Sequence, residues 1–489
     1  MLFSTNTFIF LFLPCYLLVY YLSEAVAALV TKKVLSSTTR KLFIPNAVLL
    51  LMSLFFYYWD VGKFLVVFGI TIVVNYFMGR FIFTTSRPKL CLILGVIFNL
   101  SILFYYKYFN FLYDQMSLLL NALGNIQLAK QPTLFLPLGI SFYTFMAISY
   151  LVDSYKKRSE YSSLLNFGMY LSMFPHLVAG PIVRYSEIAE EIKSRRITTD
   201  ALFEGVWRFS LGLGKKVILA NNLGAISDKI FALPATELTT TLSWIGVICY
   251  TFQIYFDFSG YSDMAIGLAR FFGFHFPENF NAPYRSQNVT EFWKRWHMSL
   301  SRWFRDYLYI PLGGNRKGNL RTYVNLSIVF ILCGFWHGAS WTFVVWGAYH
   351  GILLVIERIL NQKFHFSTKG LVGTAITFLL VMIGWVFFRS TSIGNAWHYI
   401  KTMFGFSAVG GFQYFTPWYY LDSATVTYLI AAALASFLPF EKMQMPGKIL
   451  EQGETGLVLA KGFVAIFLTL YSVTILSKAG FRPFLYFQF

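Results

Sequence analysis

Charge is what this sequence has least of. Only 13% of its 489 residues are Asp, Glu, Lys or Arg, about half the share found in soluble globular proteins. Cysteine is scarce as well. Cys15, Cys91, Cys249 and Cys333 all lie in apolar stretches with no CxxC among them, which argues against a disulfide framework or a zinc ribbon and leaves buried thiols as the expectation. The Walker loop GxxxxGK[ST] and the GxSxG elbow are both missing, so neither an ATP-driven pump nor an ordinary serine hydrolase is supported. No HExxH occurs, and Ser, Asp and His fall in no short-spaced triad. Cys333 and His337 stand one helical turn apart, but two ligands at that spacing are weak grounds for a metal site, and none is expected.

What is present is apolar. Hydrophobic residues make up 56% of the chain and aromatics 20%, gathered into long runs such as 42–59, 90–106 and 371–388. A hydrocarbon core of ~30 Å demands runs of this length from a helix, and by that rule the chain has roughly ten to thirteen membrane segments. The runs do not alternate polar with apolar, so outer-membrane strands are excluded. The expected fold class is an all-α, polytopic integral membrane protein with re-entrant or interfacial helices among its segments.

The net charge of +18 does not call for nucleic acid here. Lys and Arg sit in loops that flank the runs, at 31–41, 84–89 and 154–163, whereas the intervening loops 58–63 and 107–133 are nearly balanced. By the positive-inside rule this alternation places the N-terminus outside. Ala25-Val26-Ala27 has the look of a signal-peptide cleavage site, but residues 1–10 carry no basic side chain, so 8–30 reads as a retained span.

Along the chain the character changes twice. Residues 1–130 are plain spans rich in Phe and Leu. From 134 to 350, polar, Gly and Pro residues interrupt the apolar segments, as in Leu136-Pro137-Leu138-Gly139, Phe174-Pro175-His176 and Asp257-Phe258-Ser259-Gly260. Residues 351–489 are plain again, apart from an aromatic and Gly-rich stretch at 404–420 suited to an interface. Irregular backbone at membrane depth is tolerated only where protein buries it or it lines a wet cavity, so the middle of one membrane-embedded domain is where a site belongs.

Three constellations stand out there. His337, in Cys333-Gly334-Phe335-Trp336-His337-Gly338, falls midway through the apolar run 323–346. An ionisable residue in such a run is expensive and turns to a cavity or a partner, and imidazole suits proton transfer near neutral pH. A buried histidine that merely packs is the alternative. Gly334 and Gly338 share one helix face and let another backbone come close.

The second constellation is the stretch 292–307. At ~100° per residue, Phe292, Trp296, Leu300, Trp303 and Tyr307 form one stripe, with Lys294, Arg295, Arg302 and Arg305 opposite and His297 at the edge. That is the pattern of a helix lying in the membrane interface. It is either an anchor or a basic floor able to hold an anionic donor such as a CoA phosphate.

The third pairs Asp257 with Asp263. Their spacing puts them on different faces of a helix, unless Gly260 breaks it. Each is expected to accept hydrogen bonds from a neighbouring cation, Trp or His, with orientation of a histidine as the second reading.

Taken together, 174–184, 257–284, 292–316, 334–339 and 384–389 resemble the membrane-bound O-acyltransferase family, and within it the bacterial branch typified by the membrane subunit of alginate O-acetylation. The resemblance touches most of the chain and is most specific over 257–339. It implies that His337 matches the family's catalytic histidine and His297 its second characteristic position. Trp336, Lys294, Arg295, Asp257, Arg302 and Arg305 are the further candidates, for holding the donor or supporting the histidines. His176 departs from the residue expected at its position and is read as a loop histidine without an assigned role.

The implied activity is O-acetyl transfer from a cytoplasmic donor, acetyl-CoA, with no bound cofactor, toward extracytoplasmic polysaccharide hydroxyls. The implied partners are an extracytoplasmic acetyltransferase or relay protein, the polysaccharide acceptor and the bilayer, with a bacterial cytoplasmic membrane as the location. D-alanyl transfer to teichoic acid and peptidoglycan O-acetylation are alternatives within the same chemistry. A transporter or channel is the alternative from another class, though no repeated halves with matching broken helices are evident.

Overall fold

The structure, a computed structural model, describes residues 3–34, 42–124, 126, 128–129, 133–158, 160–365, 368–407, 416–438, 455–479 and 484–485. Side chains of the expected basic loop 31–41, and residues 408–415 of the expected interfacial stretch, lie outside the described residues. Among those described, every regular element is a helix. Eight helices are long and apolar enough to cross a membrane, and Ser423–Phe437 is a shorter apolar one. The remaining segments of the sequence estimate are mid-chain helices that are either short or interrupted by charge. The chain divides into two compact units, Met1–Gly205 with Ala265–Pro277, and Val206–Met264 with Glu278–Phe489.

The first unit contains α1 (Leu13–Val34), α2 (Phe43–Val61), α3 (Phe64–Thr84), α4 (Pro88–Leu103), α5 (Phe109–Gly124), α6 (Ile140–Tyr155), α7 (Leu164–Ser172), the single turn α8 (Phe174–Leu177) and α9 (Tyr185–Lys193). Its plain spans pack through aromatics, with Phe3, Phe8, Phe12 and Phe56 around Phe174. Some of the polar groups inside are paired with one another, which offsets the cost of burying them. Asn75 of α3 and Asn99 of α4 exchange amide hydrogen bonds at 3.0 and 2.6 Å.

The polar interruptions expected at 136–139 and 174–176 are real breaks. Gly139 takes φ +73° before α6, and a Cβ there would lie 2.4 Å from the Leu177 carbonyl oxygen, so only glycine fits. His176, expected in a loop, is instead wholly buried on α8. It donates from Nε2 to the Tyr170 carbonyl at 2.8 Å and stacks on Phe276.

Two helices have residues in both units: α10 (Thr199–Gly214) and the 32-residue α12 (Thr240–Phe271). The second unit adds α11 (Asn221–Phe231), α13 (Val289–Arg295), α14 (Met298–Phe304), α15 (Gly318–His337), α16 (Trp341–Phe364), α17 (Gly370–Arg389), α18 (Ile393–Met403), α19 (Pro417–Tyr420), α20 (Ser423–Phe437) and α21 (Thr455–Ala479).

Gly260 does not break α12, which is helical throughout. The glycine serves close approach instead. A Cβ on Gly260 would lie 2.7 Å from the Gly212 carbonyl oxygen, and one on Gly212 would lie 2.4 Å from that of Gly260. The backbones of α10 and α12 therefore touch at this point.

Candidate active site

The apolar run 323–346 is two helices, not one. α15 ends on His337, Gly338 is extended at φ −163°, and the Ser340 hydroxyl caps α16 by accepting from the Thr342 amide. His337 thus sits at a hairpin turn rather than in mid-span, because an extended glycine and an N-cap serine stop the helix there. The expectation of close backbones holds at Gly334, where a Cβ would lie 2.2 Å from the Phe343 carbonyl oxygen, and reciprocally at Gly347 against Phe330. His337 is 5% exposed. Its ring is boxed edge-on by Trp336, Trp346 and Phe388, with centroids 5.0, 5.1 and 5.2 Å away.

The stretch 292–307 is likewise not one continuous helix. α13 and α14 are separated at Trp296 and His297, and His297 has φ +45°. A side chain in this left-handed region is strained unless its surroundings hold it, and here they do. The Met298 amide donates to the Asn279 carbonyl at 2.9 Å and the Asn281 amide to that of Arg295 at 3.0 Å. His297 Nδ1 lies 3.0 Å from Asn279 Oδ1.

The expected apolar stripe exists, but it faces protein. Phe292, Trp296, Leu300 and Trp303 are buried, with Trp296 against Trp385 and the neighbouring Trp293 against Phe330 and Trp346. His297, outside the eight spans, has its ring edge-on to Phe258 at 4.6 Å. Burial pushes its pKa down to about 3, so the imidazole is neutral.

These breaks bring the two candidate histidines to one cluster. Trp336 lies between them, 6.2 Å from the His297 ring and 5.0 Å from that of His337. Beside the cluster opens a cavity of about 980 Å³. Its lining includes Met298, next to His297, and Cys333, one turn before His337. Lys294, Arg302, Arg305 and Arg358 contribute cationic groups to the same cavity. The Nε atoms of Arg302 and Arg358 are buried without a hydrogen-bond partner, so both guanidinium groups have donors to offer an anion. Glu357 of α16 accepts from the Val289 amide at 2.7 Å and the Thr290 amide at 3.3 Å, which fixes the start of α13.

Two candidates lie elsewhere. Arg295 pairs with Glu291 and donates to the Asn281 carbonyl, supporting the chain beside the break. Asp257 forms a buried pair with Lys216 and accepts from the Leu485 amide at 2.8 Å, while Asp263 pairs with Arg208 at 2.7 Å and Lys215 at 2.6 Å.

Two residues escaped the sequence reading. His350, wholly buried on α16, packs between Trp293 and Trp346 with neither ring nitrogen hydrogen-bonded. The criterion that singled out His337, an ionisable residue in an apolar run, applies to it equally. Asn279, wholly buried, had no such signal, because its role depends on a contact across 18 residues of chain.

The membrane-bound O-acyltransferase family matches residues 116–396, which takes in every residue of this cluster and cavity. A probable alginate O-acetylase of Pseudomonas aeruginosa is 44% identical over 411 residues, covering 83% of this chain and 75% of that protein. Another from Pseudomonas putida is 39% identical over 513 residues and covers both chains end to end. A peptidoglycan O-acetyltransferase of Helicobacter pylori is 38% identical over 444 residues, covering 84% of this chain and 81% of its own. The chain belongs to the membrane-bound O-acyltransferase family.

Proposed function

We propose that the protein transfers acetyl from acetyl-CoA on the cytoplasmic side toward hydroxyls of an alginate-like polysaccharide outside, directly or through an extracytoplasmic acetyltransferase or relay protein. The observation that carries this reading is the basic cavity ending one turn from His337. Arg302, Arg358 and Lys294 suit the phosphates of CoA, since guanidinium groups bind phosphate through paired charge-assisted hydrogen bonds, while the apolar floor around Cys333 and Val329 suits the thioester arm. His337 takes the proton of the accepting hydroxyl as its oxygen attacks the thioester carbonyl. The C–O bond of the new ester forms, the C–S bond breaks, and the thiolate leaves with the proton that His337 held. The loop charges support a bacterial cytoplasmic membrane with the N-terminus on the outer side.

General-base help is worth roughly 10²- to 10⁴-fold, so His337→Ala should nearly silence acetyl transfer while the protein still inserts and melts normally. The measurement is the acetate ester content of exported glycans after feeding labelled acetate to cells carrying each form. Normal O-acetylation with His337→Ala would end the assignment. Peptidoglycan is the second acceptor to score in the same cells, because the Helicobacter pylori relative named for it aligns over 84% of this chain, against 83% for the Pseudomonas aeruginosa alginate relative.

A further inference from the structure

His297 can face a substrate in two chemically opposite ways. The nitrogen it presents either carries a proton and donates, or carries a lone pair and accepts. Its neighbours decide which. Asn279 Oδ1 lies 3.0 Å from His297 Nδ1, and the same atom lies 3.3 Å from the Ser299 backbone nitrogen and 2.9 Å from the Ser299 hydroxyl. A backbone amide can only donate, so the atom facing it is the carboxamide oxygen and not the nitrogen. The other end of Asn279 agrees, with Nδ2 donating to the Ser262 hydroxyl at 3.0 Å. An oxygen that only accepts requires a proton on His297 Nδ1. In a neutral imidazole the lone pair is then on Nε2.

We infer that Asn279 is a positioning residue that fixes His297 as the Nδ1–H tautomer, so that His297 offers the acyl-transfer site a hydrogen-bond acceptor at Nε2 and not a donor. The inference rests on the reading of His297 as part of that site. It assigns His297 to the hydroxyl side of the reaction, accepting a hydrogen bond from the incoming alcohol whose proton His337 takes. It excludes His297, in its neutral form, from donating to the thioester carbonyl oxygen.

The support behind Asn279 is extensive. Asn279 is held by its own backbone through Met298 and by Ser262 of α12. Arg208 bonds both Asp263, the neighbour of Ser262, and Glu278, the neighbour of Asn279. One guanidinium therefore ties together the two segments that meet in the Asn279–Ser262 bond. Around Asn279 the charged groups are paired: Asp263 and Glu278 with Arg208, Asp263 also with Lys215, and Arg295 with Glu291. Lys294 and Arg302, on the helices either side of His297, line the cavity instead. The groups packed on the His297 ring itself are Phe258 of α12 and, further off, Trp336 of α15.

The test uses the full-length protein, labelled with ¹⁵N-histidine in detergent micelles, with His297→Gln to assign the resonance. The expected spectrum shows His297 protonated at Nδ1 and unprotonated at Nε2 in the wild type, with that signature lost in Asn279→Leu. A wild-type signal protonated at Nε2, or an unchanged signature in Asn279→Leu, overturns the proposal.

Transfer rates in vesicles supply the second readout. Asn279→Asp keeps the shape and the acceptor but adds a charge, and a carboxylate beside imidazole raises its pKa by about 1 to 3 units. The acidic limb of the pH–rate profile should move up by that amount, whereas a purely structural Asn279 would leave it in place. Asn279→Leu should lose roughly 10²- to 10⁴-fold in kcat, the range associated with a lost acid–base group. Because the spectrum does not depend on turnover, it stands or falls separately from the choice of donor and acceptor.

Discussion

Gly334→Ala tests whether the spacing of α15 and α16 sets the chemistry. In the native structure an added Cβ would lie 2.2 Å from the Phe343 carbonyl oxygen and 3.1 Å from Gly347 Cα. A carbon resting against a carbonyl oxygen sits at roughly 3.3 to 3.6 Å, so the methyl group is about 1 Å too close. Both atoms it meets are backbone, so no side chain can turn aside and the helices must separate. Overpacking of this kind costs about 1–3 kcal/mol. The functional loss should be larger than that, because His337 lies three residues further along the displaced helix and a misplacement of about 1 Å costs on the order of 10²-fold in rate.

The assay is acetate ester content of exported glycan alongside the melting temperature of the purified protein. Gly69→Ala is the control, since nothing lies within 4 Å of a Cβ there, and it should be neutral or slightly stabilising through its better helix propensity. Wild-type transfer and melting in Gly334→Ala would refute the argument that this crossing positions His337.

Two further outcomes concern buried groups that are not part of the cavity lining. Lys216→Met leaves Asp257 charged and buried, so it should destabilise by about 3–5 kcal/mol, whereas the double variant with Asp257→Asn should recover much of the loss; thermal unfolding in detergent reads both. His176, outside the eight spans, has its pKa lowered by burial to about 4, so between pH ~6.5 and ~4 the unfolded chain binds a proton that the folded chain refuses. Stability is therefore full above that window and falls as pH drops through it, by about 1.4 kcal/mol per pH unit at most. His176→Gln should show a shallower decline in melting temperature from pH 7 to pH 4.5, and identical slopes would contradict the assignment.

Much of this could be read from the sequence because it is local. Apolar runs report helices in a membrane directly, and an ionisable residue inside one is conspicuous, which is how His337 came to notice. The same rule reaches His350, whose cage of Trp293 and Trp346 only folding assembles. Helical periodicity over 292–307 placed the aromatic stripe correctly and missed the break inside it. A periodic pattern cannot register one residue at φ +45° when the interactions that stabilise it come from Asn279. The opposite error arose at Gly260. Glycine after Asp-Phe-Ser suggests an interruption, yet its missing side chain admits the Gly212 backbone and α12 runs on. In both places the deciding contact comes from another segment, and no window along the chain contains it.

The distribution of charge connects the fold to the chemistry more closely than the total of +18 suggests. On α10–α12 the buried carboxylates are matched: Asp257 by Lys216, Asp263 by Arg208 and Lys215. Paired ions of this kind contribute little net stability and are costly to break, so they suit fixed geometry, and the Arg208 clamp holds Ser262 against Asn279. Around the cavity the balance differs. Lys294, Arg302 and Arg358 outnumber Glu357, the acidic residue of the lining, and Glu357 is engaged by the amides of Val289 and Thr290; Arg305, also in the lining, is paired with Asp306. Positive charge therefore accumulates where the space is large and the lining reaches Cys333, one turn before His337. A fold that matches its charges along one set of helices and leaves them in excess along another directs an anion to the second. The same arrangement keeps the histidine pair in an aromatic, water-poor setting where a proton taken from a hydroxyl has few competing destinations.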